Sequence, residues 1–227
     1  MIPHTWQLTP KEARALQQLL APQVQSDLPL APLATIQQVA GVDVSTDNIT
    51  SRAAIVVLSF PQLQVLEVAR AELPTTFPYI PGLLSFREGE VILAAQAQLT
   101  LRPDVYLFDG MGVLHPRRLG IASHIGLWWD TPTIGCGKTH LLGHYQDPDP
   151  SAGSHAPIEV DGQTLGAVLR TRANVKPMYI SVGHRATLES ALPLVMACVT
   201  RYRLPEPIRA AHHYAGNLVY KATPPNP

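Results

Sequence analysis

Three carboxylates stand where separate elements of the chain can deliver them to one place. Asp43 closes an apolar run at Val42-Asp43, and Asp109 closes another at Phe108-Asp109. Between them Glu88 ends the stretch Pro78-Tyr79-Ile80-Pro81-Gly82-Leu83-Leu84-Ser85-Phe86-Arg87-Glu88. Converging carboxylate oxygens suit Mg²⁺ or Mn²⁺, hard cations that keep several waters. At a phosphodiester such ions activate water, orient the phosphate and stabilise the leaving oxygen, with paired ions about 3.5–4 Å apart. The same residues also have plain structural uses. Asp43 can open a turn before Ser45, Ser85-Phe86-Arg87-Glu88 reads as a helix capping box, and Asp109-Gly110 is a common turn dipeptide.

The elements that would carry these residues follow from pattern. Thr9-Pro10-Lys11-Glu12 opens a helix with Thr as N-cap, Pro at the first helical position and Glu reaching back, and Ala13, Leu16, Leu19 and Leu20 form its apolar stripe. Strands are expected at Ile36–Val44, Ala53–Phe60 and Leu63–Ala69, an antiparallel meander with short turns. A helix follows from Ser85 to about Leu101, then a strand at Val105–Phe108, a helix at Ile121–Trp129 and a strand at Thr133–Cys136. Asp147 to His155 is a surface loop, and Ile158–Val160 with Leu165–Leu169 make a hairpin around Asp161-Gly162. Met178–Val182 is a strand and Thr187–Thr200 a helix that Pro193 should kink or shorten at its start. This order is α/β with a mixed central sheet flanked by helices, the order of ribonuclease H-like nucleases, in which the first and fourth strands lie side by side. On that layout Asp43 and Asp109 leave adjacent strands.

At 227 residues, 46% of them hydrophobic and 15% charged, the chain suits one folded domain spanning 1–227, with a short flexible tail from about 216. No apolar run reaches the roughly 18 residues of a membrane span, and Met1-Ile2-Pro3-His4 opens no secretory signal. The two cysteines, Cys136 and Cys198, lie far apart and fit a reducing cytoplasm better than a disulfide or zinc framework. The formal charge is zero, but unevenly spread: residues 1–100 hold 5 basic and 8 acidic side chains, and residues 101–227 hold 12 and 9. A local basic groove can therefore coexist with overall neutrality.

Longer stretches carry a resemblance. Gly41-Val42-Asp43-Val44-Ser45, then Pro78 through Glu88, then Asp109-Gly110-Met111-Gly112-Val113-Leu114-His115-Pro116-Arg117-Arg118-Leu119-Gly120-Ile121-Ala122-Ser123-His124 resemble endonuclease V, the deoxyinosine 3′ endonuclease family. Pro132-Thr133-Ile134-Gly135, Lys138, Ser181-Val182-Gly183-His184-Arg185 and Arg203 through His212 continue the match in the family's order. It covers about residues 5–215.

The resemblance implies a set of roles. Asp43, Glu88 and Asp109 would bind the metal, Mg²⁺ with Mn²⁺ as substitute. His212 would sit near the metal and the nucleophilic water; its plainer use is to cap the final helix. Lys138 would lie near the scissile phosphate, where a solvated lysine is the alternative. Pro78, Tyr79, Ile80 and Pro81 would form a wedge that separates strands beside the lesion, whereas without the resemblance they fit a turn that packs Tyr79 inward. Gly82, Leu84, Gly110 and Ile121 would line a pocket for hypoxanthine, largely through main-chain hydrogen bonds. His115, Arg117 and Arg118 would contact phosphates, Arg118 having an internal ion pair as its alternative.

The implied activity is repair of deaminated adenine. The enzyme would flip out deoxyinosine in DNA and hydrolyse the second phosphodiester 3′ to it, acting as a monomer in the cytoplasm without a membrane. Two other readings stay open: cleavage at inosine in RNA, and a non-catalytic module that binds inosine-containing or branched nucleic acid. Two positions depart from the family pattern. Met111 stands where a Gln or Asn is usual, and Cys136-Gly137-Lys138 replaces the usual Val-Ala-Lys.

Overall fold

In the computed structural model, which describes residues 4–222, the first helix α1 (Pro10–Leu20) starts as the sequence predicts. The Thr9 side chain accepts from the Glu12 N–H, and the Glu12 carboxylate accepts from the Thr9 N–H. Of the expected stripe, Ala13 and Leu20 are buried and Leu16 is half-buried against the core, but Leu19 is exposed and Gln17 is buried in its place.

Strands β1 (Gln38–Thr46), β2 (Thr50–Ser59) and β3 (Val65–Pro74) form the predicted antiparallel meander. The third is longer than expected because it is the sheet's edge, where Arg70 and Glu72 can point outward while the backbone stays paired with β2. Helix α2 (Leu84–Gln96) then returns the chain, and β4 (Val105–Phe108) lies parallel beside β1. The helix stops short of Leu101 because the Glu67 carboxylate of β3 accepts from the N–H groups of Thr100 and Leu101, both at 2.8 Å.

Helix α3 (Ile121–Trp129) leads to β5 (Thr133–Gly137), parallel to β4. Hairpin β6 (His155–Val160) and β7 (Gln163–Leu169) turns through Asp161 and Gly162, both at positive φ as a tight two-residue hairpin requires. It joins the sheet through β8 (Met178–Val182), giving the order β3-β2-β1-β4-β5-β8-β7-β6. Helix α4 (Leu188–Ala197) starts after Thr187 as expected and runs through Pro193. Helix α5 (Glu206–Ala215) opens with Pro205 and Pro207, residues that suit a first helical turn. The mixed α/β sheet flanked by helices is the ribonuclease H-like architecture expected from the element order.

The two faces of the sheet bury separate cores. Val39, Leu107, Ile134 and Ile180 pack with Leu194 of α4 and Ile208 of α5. Ala40, Val42, Tyr106 and Phe108 pack on the other face with Phe86 and Ile92 of α2 and Ile121 of α3. Alternation along β1 and β4 therefore sends Asp43 and Asp109 toward the α5 side. Of the tail expected at 216–227, residues 223–227 lie outside the described residues. Before them, the Leu218 N–H donates to His213 and the Tyr220 hydroxyl to Glu206. Among the described residues no helix is long and apolar enough to cross a membrane.

His124, 1% exposed inside α3, is pushed down to about 3 by burial first and then by its neighbours His4 and His115. The folded chain keeps it neutral, while the unfolded chain binds a proton near pH 6.5. Its contribution to stability is thus complete above pH 6.5 and is lost as pH falls toward 3. Urea unfolding should show the gap between the protein and His124→Asn changing by roughly 2 kcal/mol between pH 7 and pH 5. A gap independent of pH would mean that the imidazole is not held neutral.

Candidate active site

The site begins with the register of two strands. Val42 pairs with Phe108, and the Asp109 N–H donates to the Val42 carbonyl (3.1 Å), so Asp109 leaves the carboxyl end of β4 beside Asp43, which lies within β1 just past its last residue paired with β4. That is where open α/β sheets place ligands. Helix α5 brings the third group. It can approach β1 because Gly41 has no side chain; a Cβ there would meet the Pro207 carbonyl oxygen at 1.9 Å. The close approach sets His212 over Asp43, and its Nδ1–H donates to the Asp43 carboxylate at 2.8 Å. His212 thus orients toward the strand end rather than capping its own helix. Ligand atoms of Asp43, Asp109 and His212 lie within 4.8 Å of one another.

Glu88 stands outside that trio but within reach of its charge. Burial first, then Asp43 and Asp109, push its carboxyl up to about 8. Asp43 is raised for the same reasons, burial and then Asp109, against the hydrogen bond from His212. The Lys138 ammonium, at the end of β5, pairs with the Asp109 carboxylate. These carboxylates therefore crowd together with too little positive charge around them, and their oxygens fit a hard divalent cation. The capping-box use of Ser85 and Glu88 is absent: Leu83 is the N-cap of α2 with no side-chain bond, and Ser85 hydrogen-bonds His124 instead.

A cavity of about 410 Å³ opens beside Asp109 and Lys138. Its walls include Tyr79, Ile80 and Pro81, all four expected pocket positions (Gly82, Leu84, Gly110 and Ile121), and His115. Ile80-Pro81-Gly82-Leu83 is a tight turn closed by the Leu83 N–H on the Ile80 carbonyl (2.9 Å), with Gly82 at φ +79°. Tyr79 is 68% exposed, which removes the reading in which it packs inward. Pro78 is exposed beside it and does not line the cavity.

His115 and Arg117 are bonded to the protein itself. His115 Nε2 lies 3.1 Å from the Gly82 carbonyl, and Arg117 Nη2 donates to the same oxygen at 2.7 Å. Gln17 of α1 is its third donor (3.0 Å) and also accepts from Arg117. The turn at Gly82 is thereby clamped from two sides. Arg118 points elsewhere, at φ +57°, and lines a second cavity with Val113 and Leu165.

Sequence reasoning missed Gln17, Ser85, Leu119 and Leu141 as cavity residues. Gln17 had a signal: a polar residue four positions after buried Ala13, on the face that helical periodicity sends inward. The two departures from the family pattern prove to be neighbours. A Cβ on Gly137 would sit 2.3 Å from Met111 Cε, so the long Met111 side chain is accommodated by the missing side chain at 137. Gly137→Ala should cost about 1–3 kcal/mol by thermal unfolding, and adding Met111→Ala should recover part of it. Additive effects of the two changes would separate them.

Comparison with known proteins places the chain in one family. The Endonuclease V family model matches residues 19–213. Endonuclease V of Nostoc punctiforme is 49% identical over 214 residues, covering 93% of this chain and 96% of that one. The crystal structure of endonuclease V from Streptomyces avermitilis superposes with a TM-score of 0.89 at 41% identity, covering 95% of each chain. Endonuclease V of Ciona intestinalis, solved in complex with a 24mer DNA containing an inosine followed by a ribo-adenosine, superposes at 0.77 with 27% identity, covering 91% of this chain and 96% of that one. With its neighbouring aspartates on adjacent strands, its cavity and these matches over nearly its whole length, the chain belongs to the endonuclease V family of nucleases.

Proposed function

We propose that the protein is a Mg²⁺-dependent repair endonuclease that takes a flipped deoxyinosine into the 410 Å³ cavity. It hydrolyses the second phosphodiester 3′ to that base, leaving 3′-hydroxyl and 5′-phosphate ends. The observation that supports this best is continuity: one cavity joins the exposed Tyr79 segment, the backbone-lined pocket, and Asp109 with Lys138. Asp43, Glu88 and Asp109 would hold Mg²⁺, or Mn²⁺ in its place, and the ion would supply Lewis-acid stabilisation at the phosphoryl oxygens and a more acidic water.

The chain's own groups do the rest. His212 donates Nδ1–H to Asp43, which leaves Nε2 as the basic nitrogen able to take a proton from an attacking water. Lys138 offers a point charge to the phosphoryl oxygens once a cation relieves Asp109. Gly82 and Gly110 let the main chain approach the base closely, and unpaired N–H groups at the start of α2 suit its O6. His115, held neutral by burial, braces the Gly82 turn with Arg117, whose guanidinium would supply positive charge to a backbone phosphate near it; Arg118, on the second cavity, would meet phosphates only farther along the strand. All these groups lie in a single catalytic domain, and we read the working unit as a monomer. Two free, buried cysteines fit work in a reducing cytoplasm.

Tyr79 stacks where the base leaves, as the tip of the wedge Pro78 to Pro81. Replacing Tyr79 by Ala should slow cleavage of an inosine-bearing duplex by roughly tenfold or more, on the scale of one base–aromatic stack, and slow a single strand less. Equal losses on both would end the wedge role. The experiment for the whole reading is cleavage of matched strands carrying one inosine, as DNA and as RNA. Faster nicking of DNA supports the repair role; faster nicking of RNA would reassign the substrate; binding without nicking would favour the non-catalytic reading.

A further inference from the structure

A hydrogen-bonded chain runs from the protein surface to the wall of the base cavity. His4 Nδ1 lies 2.8 Å from the Thr5 carbonyl, His4 Nε2 lies 2.8 Å from His124 Nε2, and His124 Nδ1 lies 2.9 Å from Ser85 Oγ. Ser85 lines the cavity at the first turn of α2, beside Leu84. None of the proposed metal or phosphate groups belongs to this chain of bonds.

Its polarity follows from one fixed end. A carbonyl oxygen only accepts, so His4 Nδ1 carries the hydrogen, and in neutral imidazole Nε2 is then an acceptor. His124 Nε2 must donate to it, which leaves His124 Nδ1 as an acceptor. The Ser85 hydroxyl must therefore donate to His124. Its hydrogen is held away from the cavity, and only oxygen lone pairs remain for a ligand. A second proton on His4 would reverse the two bonds to His124 and Ser85, but burial holds both histidines below their ordinary value.

We infer that Ser85 is a specificity-determining residue, an obligate acceptor that reads the N1–H of a 6-oxopurine and refuses the bare N1 of adenine. Hypoxanthine carries a hydrogen on N1, whereas adenine presents a lone pair there, which would face the lone pairs of Ser85. Guanine also carries N1–H, so its refusal rests on the fit of its N2 amine to the cavity. His124 and His4 act through Ser85 and are positioning residues. This inference rests on the proposed inosine substrate and adds a second readout to the main-chain contacts at O6.

The test compares kcat/KM on DNA strands carrying inosine or unsubstituted purine nucleoside, a base that has neither O6 nor the N1 hydrogen. Ser85→Ala should lower the rate on inosine about tenfold, the effect of losing one buried hydrogen bond, and leave the purine strand unchanged or slightly faster. His4→Phe, which keeps an aromatic ring against Trp6 and Trp128, frees the His124 tautomer and should shift the same ratio several-fold. An inosine-to-purine ratio unchanged in both variants overturns the inference, even if both rates fall, because that is what a packing role would give. Failure of the unmodified protein to cut the inosine strand would instead overturn the proposed function.

Discussion

Asp43→Ala and Asp109→Ala should each lower cleavage of an inosine-bearing strand by on the order of 10³-fold or more, while binding of that strand changes only a few-fold. Losing a group that merely orients a metal ligand costs about 10–100-fold. The larger loss is expected here because these two carboxylates leave neighbouring parallel strands and touch the groups that serve the phosphate: His212 on Asp43 and Lys138 on Asp109. Binding should survive because the cavity walls are mostly backbone and apolar side chains, and only Asp109 of the pair lines them. Single-turnover rates with a matched binding titration check both halves. A variant cutting at the unmodified rate would remove its carboxylate from the chemistry.

Glu88→Gln should abolish or severely reduce cleavage and, in EDTA, make the protein more stable above neutral pH. The carboxyl titrates at about 8 in the fold, against an ordinary value of 4.5. Because the folded value is raised, the unfolded chain gives up its proton first as pH rises. Stability therefore falls between about pH 4.5 and 8, by roughly 1.4 kcal/mol per unit. The glutamine variant lacks this slope, so its advantage over the unmodified protein in urea unfolding should grow by roughly 2 kcal/mol between pH 5 and pH 7. Adding Mg²⁺ should stabilise the unmodified protein and narrow the gap, because ion binding favours the ionised carboxylate. A gap that is flat with pH would show that Glu88 is not crowded by the aspartates. The proposed site thus stores instability that a cation relieves, a usual relation between function and stability.

Much of this arrangement is legible in the chain. Val105–Phe108, Ile121–Trp129 and Met178–Val182 have the predicted limits because each is a short apolar run between clear breakers. The pairing of β1 with β4, and with it the meeting of Asp43 and Asp109, was expected from the likeness of the element order to ribonuclease H-like nucleases, not from the order alone. What escaped depends on contacts between residues distant in sequence. The clamp on Gly82 joins Gln17, His115 and Arg117, and no local pattern announces three donors on one carbonyl. The His4–His124–Ser85 chain spans 120 residues and emerges only once α3 packs against α2. Met111 and Gly137 each look like a lone departure in sequence, and only the fold shows that one makes room for the other. Helix α5 was expected only as the final helix that His212 would cap, and its close approach to Gly41 has no signature in sequence.

The most direct test of the central claim is to map the nick in a labelled duplex carrying one deoxyinosine, with Mg²⁺ and with EDTA, beside Asp109→Ala. The account predicts a single Mg²⁺-dependent nick at the second phosphodiester 3′ to the inosine, lost in EDTA and in the variant. Cutting that persists in EDTA, or that persists in Asp109→Ala, would contradict it.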